Sequence, residues 1–255
     1  MWTGVAWLPE AASAHAADLD GVLAAIHWHI LILAVAWSAL FVYTLVRFRA
    51  GRQPRPQAHG VRGLLPVLAI GAVIVGDVGV LATSALPAWY RRISEPTADP
   101  ARPPLVVKVV AEQFAWNIHY TGPDGRFGRT SARLISAANP LGIDRDDPDA
   151  RDDIGLLNVL TLPLGRTVII ELTSRDVVHS FTLNEMRVKQ DAIPGTTTRT
   201  WFTPVRTGDW DIACSQLCGL GHYRMRGDYS VVTPDAWDAW EQEELSFIAP
   251  VDAPR

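Results

Sequence analysis

The amino-acid sequence predicts a two-helix transmembrane hairpin followed by an all-β barrel or sandwich with a short C-terminal helix. Three observations carry that prediction. Two long apolar runs lie near the N-terminus, short alternating segments separated by turn residues begin near residue 104, and a capped helical pattern opens at Thr233. With 255 residues and 48% hydrophobic side chains, the chain has room for one soluble domain beside membrane segments.

Residues 1–21 hold no Lys or Arg and read as an N-terminal tail on the exported side. They lack the basic start and continuous apolar stretch of a secretory leader, although Ala12-Ser13-Ala14-His15 has the small-residue pattern of a cleavage site. The first span, residues 22–46, contains no Asp, Glu, Lys or Arg and meets the ~20-residue length needed to cross a bilayer. The second, residues 64–88, has Asp77 as its one formal charge. Between them, residues 47–62 carry Arg47, Arg49, Arg52 and Arg55, which assigns this loop to the cytoplasm and both flanks to the outside. Arg91 and Arg92 oppose that assignment without reversing it. Trp89 and Tyr90 suit an interfacial belt, and His27 and His29 read as interfacial near the outer end of the first span. A carboxylate inside a span is costly and faces protein or water. A polar contact with a neighbouring helix is therefore expected of Asp77, with a proton-linked or subunit-contact role as the alternative.

Residues 91–103 form a proline-containing linker, and residues 104–233 form the β-domain. Segments 105–111, 166–172, 177–183, 198–203 and 210–213 read as strands. Gly122-Pro-Asp-Gly125, Pro194-Gly195 and Thr207-Gly-Asp209 punctuate them. Residues 139–153 are acidic and read as a solvated loop; a calcium site is the alternative, without EF-hand spacing. In the last segment, 234–255, Thr233 is a candidate N-cap and Pro234 a first helical residue. The net charge of -4 does not suggest nucleic acid as a partner.

The chemistry concentrates in Cys214-Ser-Gln-Leu-Cys218-Gly-Leu-Gly-His222-Tyr-Arg-Met225, which holds both cysteines of the chain. Thiolate, imidazole and thioether are soft or borderline ligands that suit copper, and two thiolates four residues apart can bridge two ions. His179 offers a further imidazole from a strand. A Cys214–Cys218 disulfide is the alternative, but it requires neither His222 nor Met225. Structural zinc would not require Met225. Covalent haem c is not expected, since Cys-x-x-Cys-His is absent.

These residues resemble subunit II of cytochrome c oxidase, in the haem–copper oxidase superfamily. The resemblance covers nearly the whole chain. It rests on Gln113-Phe-Ala-Trp116, Asp176-Val-Val-His179-Ser-Phe, Val188-Lys-Gln-Asp191-Ala-Ile-Pro-Gly195 and the Cys214-to-Met225 loop. It implies a cupredoxin-like exported domain holding a binuclear copper centre, CuA. Cys214 and Cys218 would bridge the coppers, His179 and His222 would each bind one, and Met225 and the Gln216 carbonyl would complete the set. It also implies a subunit of a terminal oxidase in the bacterial inner membrane, with subunit I and other subunits as partners. Cytochrome c or a membrane-bound cytochrome would donate electrons, and subunit I would pump protons and reduce oxygen.

Phe114 stands where relatives often have an electron-accepting Trp, and Trp116 follows two residues later. Phe114, Trp116 and Asp191 are the expected donor-side residues. Where relatives often have a Glu that also reaches magnesium, this chain has Gln216, a poorer magnesium ligand. With no appended haem c domain, the donor is expected to be a separate protein. The input subunit of a CuA-type nitric oxide reductase and a membrane-anchored copper-assembly module are the alternative functions.

Overall fold

A computed structural model describes residues 8–52, 63–94 and 103–248. Most of the expected cytoplasmic loop (53–62), most of the linker (95–102) and both chain ends (1–7 and 249–255) lie outside the described residues. The chain divides into two units. One contains Ala17–Glu95 and the other joins Pro9–Ala16 to Pro96–Arg255.

In the first unit, helix α1 is Ala16–Arg47, α2 is Leu64–Val80 and α3 is Leu86–Ile93, the last two joined through a π-helical turn, Leu81–Ala85. The N–H of Leu86 bonds to the carbonyl of Leu81, five residues back. This wider turn accommodates Pro87, which has no N–H to donate and would crowd the preceding turn of a regular helix. Ala16–Arg47 and Leu64–Ile93 are each long and apolar enough to cross a membrane, and no part of either apolar window is buried in protein. Polar ties between them include Arg91 Nε to Asp18 Oδ2 at 3.0 Å and His29 Nε2 to Asp77 Oδ1 at 2.8 Å. His29 is therefore a partner of Asp77 rather than a simple interfacial residue.

The second unit is a β-sandwich. Its strands are β1 Leu105–Glu112, β2 Ala115–Tyr120, β3 Ile154–Leu157, β4 Val159–Pro163, β5 Val168–Ser174, β6 His179–Leu183, β7 Val188–Ala192, β8 Thr198–Phe202, β9 Gly208–Cys214 and β10 Arg226–Val232. They form two five-stranded sheets, ordered β3-β2-β1-β5-β8 and β4-β10-β9-β6-β7. Strands β1, β5, β6, β8 and β9 answer to the five expected segments. Strands β2 and β4 escape the pattern because almost every residue in them is buried, which removes the alternation. Expected strand 177–183 begins only at His179, and Val177 and Val178 lie half-exposed in the preceding turn.

Trp116, Ile118, Leu160, Ile170, Phe181 and Phe202 fill the space between the sheets and are fully buried. Tyr120 crosses that core. Its hydroxyl donates to the Thr161 carbonyl at 3.0 Å and accepts from the Thr161 N–H at 2.9 Å, so this buried polar group is satisfied twice. Helix α4, Pro234–Phe247, starts as expected: Thr233 accepts a hydrogen bond from the Ala236 N–H, with Pro234 at the first position. Its Trp237 and Trp240 pack against Tyr120.

Part of the expected N-terminal tail belongs to this domain. Ala12 N–H donates to the Glu185 carbonyl at 2.8 Å, and the Ala12 carbonyl accepts from the Val205 N–H at 2.8 Å. The Ser13 hydroxyl donates to the Met186 carbonyl at 2.8 Å. Ala12 is fully buried in the main core. The cleavage-like Ala12-Ser13-Ala14-His15 is thus woven into the sandwich.

The expected solvated loop at 139–153 is likewise organised. Leu141, Ile143 and Ala150 make a small second core against Val110. Asp153 is fully buried, accepting from His119 Nε2 at 2.8 Å and from the Gly128 N–H at 2.9 Å. Apolar residues between the acidic ones therefore turn much of this segment inward.

Candidate metal centre

The β1–β2, β5–β6 and β9–β10 connections meet at one end of the sandwich. Antiparallel pairing of β6 with β9 places Phe181 opposite Cys214, which brings His179, at the start of β6, beside the end of β9. The chain then turns through residues 215–221 and a short 3-10 segment, His222–Arg224, before Met225 leads into β10.

The ligand types gather tightly. Cys214 Sγ and Cys218 Sγ lie 3.9 Å apart, and both thiols are free. Cys218 Sγ is 3.7 Å from Met225 Sδ and 3.7 Å from His222 Nδ1. His179 Nδ1 is 3.1 Å from Met225 Sδ, and the Gln216 carbonyl is 3.2 Å from Cys214 Sγ. His179, Cys218 and Met225 are buried, Cys214 is half-buried and Gln216 is exposed. His179, Cys214 and Cys218 can hold a metal ion, since their ligand atoms all lie within 4.8 Å of one another. Six predicted positions, His179, Cys214, Gln216, Cys218, His222 and Met225, thus converge.

Asp176 is the functional residue that the ligand pattern alone passed over. Its Oδ1 accepts from His179 Nε2 at 2.8 Å, which places the proton on Nε2 and leaves the Nδ1 lone pair facing the sulfurs. Asp176 also accepts from the N–H groups of Gln113 at 2.7 Å and Val177 at 2.6 Å. Burial pushes its carboxyl upward, but the bonds from His179, Gln113 and Val177 outweigh burial and hold it below the ordinary carboxylate range. The signal was present in the sequence as an Asp three residues before a candidate ligand His.

Burial, and then the neighbouring Cys214, push the Cys218 thiol up to about 11. Two adjacent thiolates in a buried site repel, so this pair calls for cationic charge between them. Soft donors, two crowded thiols and an oriented imidazole together fit a thiophilic metal such as copper.

The donor-side expectations divide. Phe114 lies under the loop: a Cβ on Gly221 would fall within 2.5 Å of its ring, and Gly219 has φ 137°. Both positions therefore require glycine for the loop to lie on this ring. Gln113 Nε2 donates to the Cys218 carbonyl at 2.5 Å and supports the same loop. Trp116 is fully buried, because it points from β2 into the core, so it cannot be a docking contact. It stands edge-on to His179 with ring centroids 6.2 Å apart. Asp191 lies on β7, where it accepts from the Ser180 hydroxyl at 2.6 Å while 43% of its side chain stays exposed.

Comparisons with known proteins identify the family. The family model described as cytochrome C oxidase subunit II, periplasmic domain, matches residues 105–229. The alternative cytochrome c oxidase subunit 2 of Bradyrhizobium diazoefficiens is 39% identical over 173 residues, spanning 67% of this chain and 61% of that protein. Cytochrome c oxidase subunit 2 of Cereibacter sphaeroides is 30% identical over 254 residues, spanning 88% of this chain and 80% of that protein. The solved periplasmic domain of subunit II of cytochrome oxidase (CoxB) of Bradyrhizobium japonicum has 28% identity and a TM-score of 0.44, covering 61% of this chain and 100% of that one. With sequence similarity running through the helices and the β-domain alike, the chain belongs to the cytochrome c oxidase subunit 2 family.

Proposed function

We propose that this chain is the CuA electron-input subunit of a terminal respiratory oxidase. The supporting observation is the convergence of two thiols, two imidazoles, a thioether and a carbonyl on one end of the sandwich. Met225 favours copper over zinc, because a thioether adds softness that a structural zinc site does not require. A copper pair held there would supply one-electron transfer with little change of geometry.

The chain's own residues prepare that task. Cys214 and Cys218 would bridge the ions, while His179, His222, Met225 and the Gln216 carbonyl would complete their coordination. Asp176 holds the His179 ring and its tautomer. Phe114 and Gln113 hold the loop, so that no ligand has to move between oxidation states. The exposed carboxylate of Asp191 would help steer a basic cytochrome donor toward this end of the domain. Gln216 offers only an amide where magnesium prefers a carboxylate. Electrons would leave to the haem of subunit I, where oxygen is reduced to water.

In this reading α1 and the α2–α3 helix cross the bacterial inner membrane and the β-domain lies on the periplasmic face. Pro9–Ala16 and the sandwich form one unit. Two crossings between them return the chain to the side from which it started, as this topology requires.

The test is electron paramagnetic resonance of the purified full chain loaded with copper. The full chain is used because Ala12 contributes to the core of the β-domain. A seven-line mixed-valence pattern is expected, and its loss in Cys218→Ser. A four-line mononuclear signal, or a binuclear signal that survives Cys218→Ser, overturns the assignment.

A further inference from the structure

We propose that Asp77 is a docking point at which the hairpin binds a transmembrane helix of a partner subunit, one that presents a hydroxyl, amide or cationic hydrogen-bond donor. This rests on the reading of the chain as a subunit of a membrane oxidase.

The inference starts from depth. Counting along Leu64–Ile93 at ~1.5 Å per residue, Asp77 lies roughly 20 Å from one end and roughly 24 Å from the other, near the middle of a bilayer. It is the one Asp, Glu, Lys or Arg between Leu64 and Tyr90. The side chain of Asp is too short to reach either interface from there. One oxygen is satisfied within the hairpin, since His29 Nε2 donates to Oδ1 at 2.8 Å. That contact is built in: the His29 ring lies over Gly76, where any Cβ would collide with it. The ring is mostly covered, at 19% exposure.

The rest of the carboxylate is open. The Asp77 side chain is 61% exposed, and His29 is its one hydrogen-bond partner among the described residues. Around it, Ile74, Val78 and Leu81 expose apolar side chains suited to lipid or to another helix. A carboxylate facing lipid is costly, and the bilayer core has no water to satisfy it. A donor from another helix removes that cost, and lipid headgroups are too far away to do so. A second copy of this hairpin would bring Asp77 against another carboxylate unless the pair shared a proton, so charge complementarity favours a different chain. The pair thus has an inner half that ties the hairpin and an outer half that recruits.

The experiment is affinity purification of the intact oxidase in mild detergent through a tag on this chain, with partner subunits quantified per chain. Asp77→Leu is expected to lower recovery of the partner membrane subunits several-fold. Asp77→Asn keeps a hydrogen-bonding group and should retain most of the recovery, and His29→Leu should lose less than Asp77→Leu. Should Asp77→Leu fail to accumulate in the membrane, a photo-crosslinking residue at Leu81 supplies the second arm. It should capture a co-purifying membrane subunit in the wild-type background, be largely retained in Asp77→Asn, and fall in Asp77→Ala. Undiminished recovery with Asp77→Leu overturns the proposal. So does equal loss in His29→Leu, Asp77→Leu and the double variant, which would make the pair a strut within the hairpin. The copper spectrum per chain reads the functional assignment separately: that assignment fails if the wild-type spectrum is absent, whatever the recovery.

Discussion

His179–Asp176 in the β-domain and His29–Asp77 in the hairpin are the same chemical pair at the same 2.8 Å separation, and they are used differently. Asp176 accepts hydrogen bonds from two backbone N–H groups besides His179, so its carboxylate cannot rotate and acts as a fixed orienter. Asp77 has one hydrogen-bond partner among the described residues and an exposed side, so it holds His29 and remains able to bind elsewhere. The number of competing donors, rather than the Asp–His bond itself, decides whether a carboxylate positions a neighbour or recruits one.

The contrast can be broken most directly at the two carboxylates. Asp176→Ala should lower copper affinity by about 10–100-fold, as loss of a partner to a ligating His does. Asp77→Leu should leave affinity unchanged in the same chelator-competition titration. Equal effects would erase the distinction between the sites.

The next effect is on pH. Copper bound through Cys218, as proposed, would displace its proton, and that thiol is pushed up to about 11 by burial and by Cys214. Apparent copper affinity should therefore rise with pH, by about tenfold per unit for each proton displaced. The metal-free domain should show the opposite sign. A thiol raised from its ordinary 9.0 stabilises the fold below that value, and the contribution is lost as pH rises through about 11. Thermal melts of apo and copper-loaded chain between neutral and alkaline pH check both directions.

A smaller effect is expected at the loop seat. Gly221→Ala inserts a methyl group against Phe114 and should cost about 1–3 kcal/mol of apo-domain stability by overpacking. Adding Phe114→Ala should recover part of that cost in a double-mutant cycle. The smallest effect lies far from both carboxylates: Thr233→Ala removes the cap of α4 and should cost about 1 kcal/mol, with an unchanged copper spectrum.

Much of the candidate metal centre was legible because four of its proposed side-chain ligands fall within Cys214 to Met225, where spacing alone signals chemistry. Asp176 was harder to see, since its role depends on a turn that swings it back onto His179. Trp116, expected at electron entry or donor docking, has neighbours in sequence that surround the site while its own side chain enters the core. The N-terminal tail gave no strand signal, because Ala12 and Ser13 pair with chain nearly 200 residues away.

By itself, then, the sequence determined what local composition and periodicity can carry: two membrane-length apolar helices, five of the strands, the cap of α4 and the soft-ligand loop. Tertiary structure alone decided which of those residues meet. Pairing of β6 with β9 delivers His179 to the cysteines, helix-to-helix approach at Gly76 gives Asp77 its histidine, and backbone pairing makes Pro9–Ala16 part of the sandwich. Long-range contacts depend on chain path and packing of side chains far apart in sequence, and no local window contains both partners.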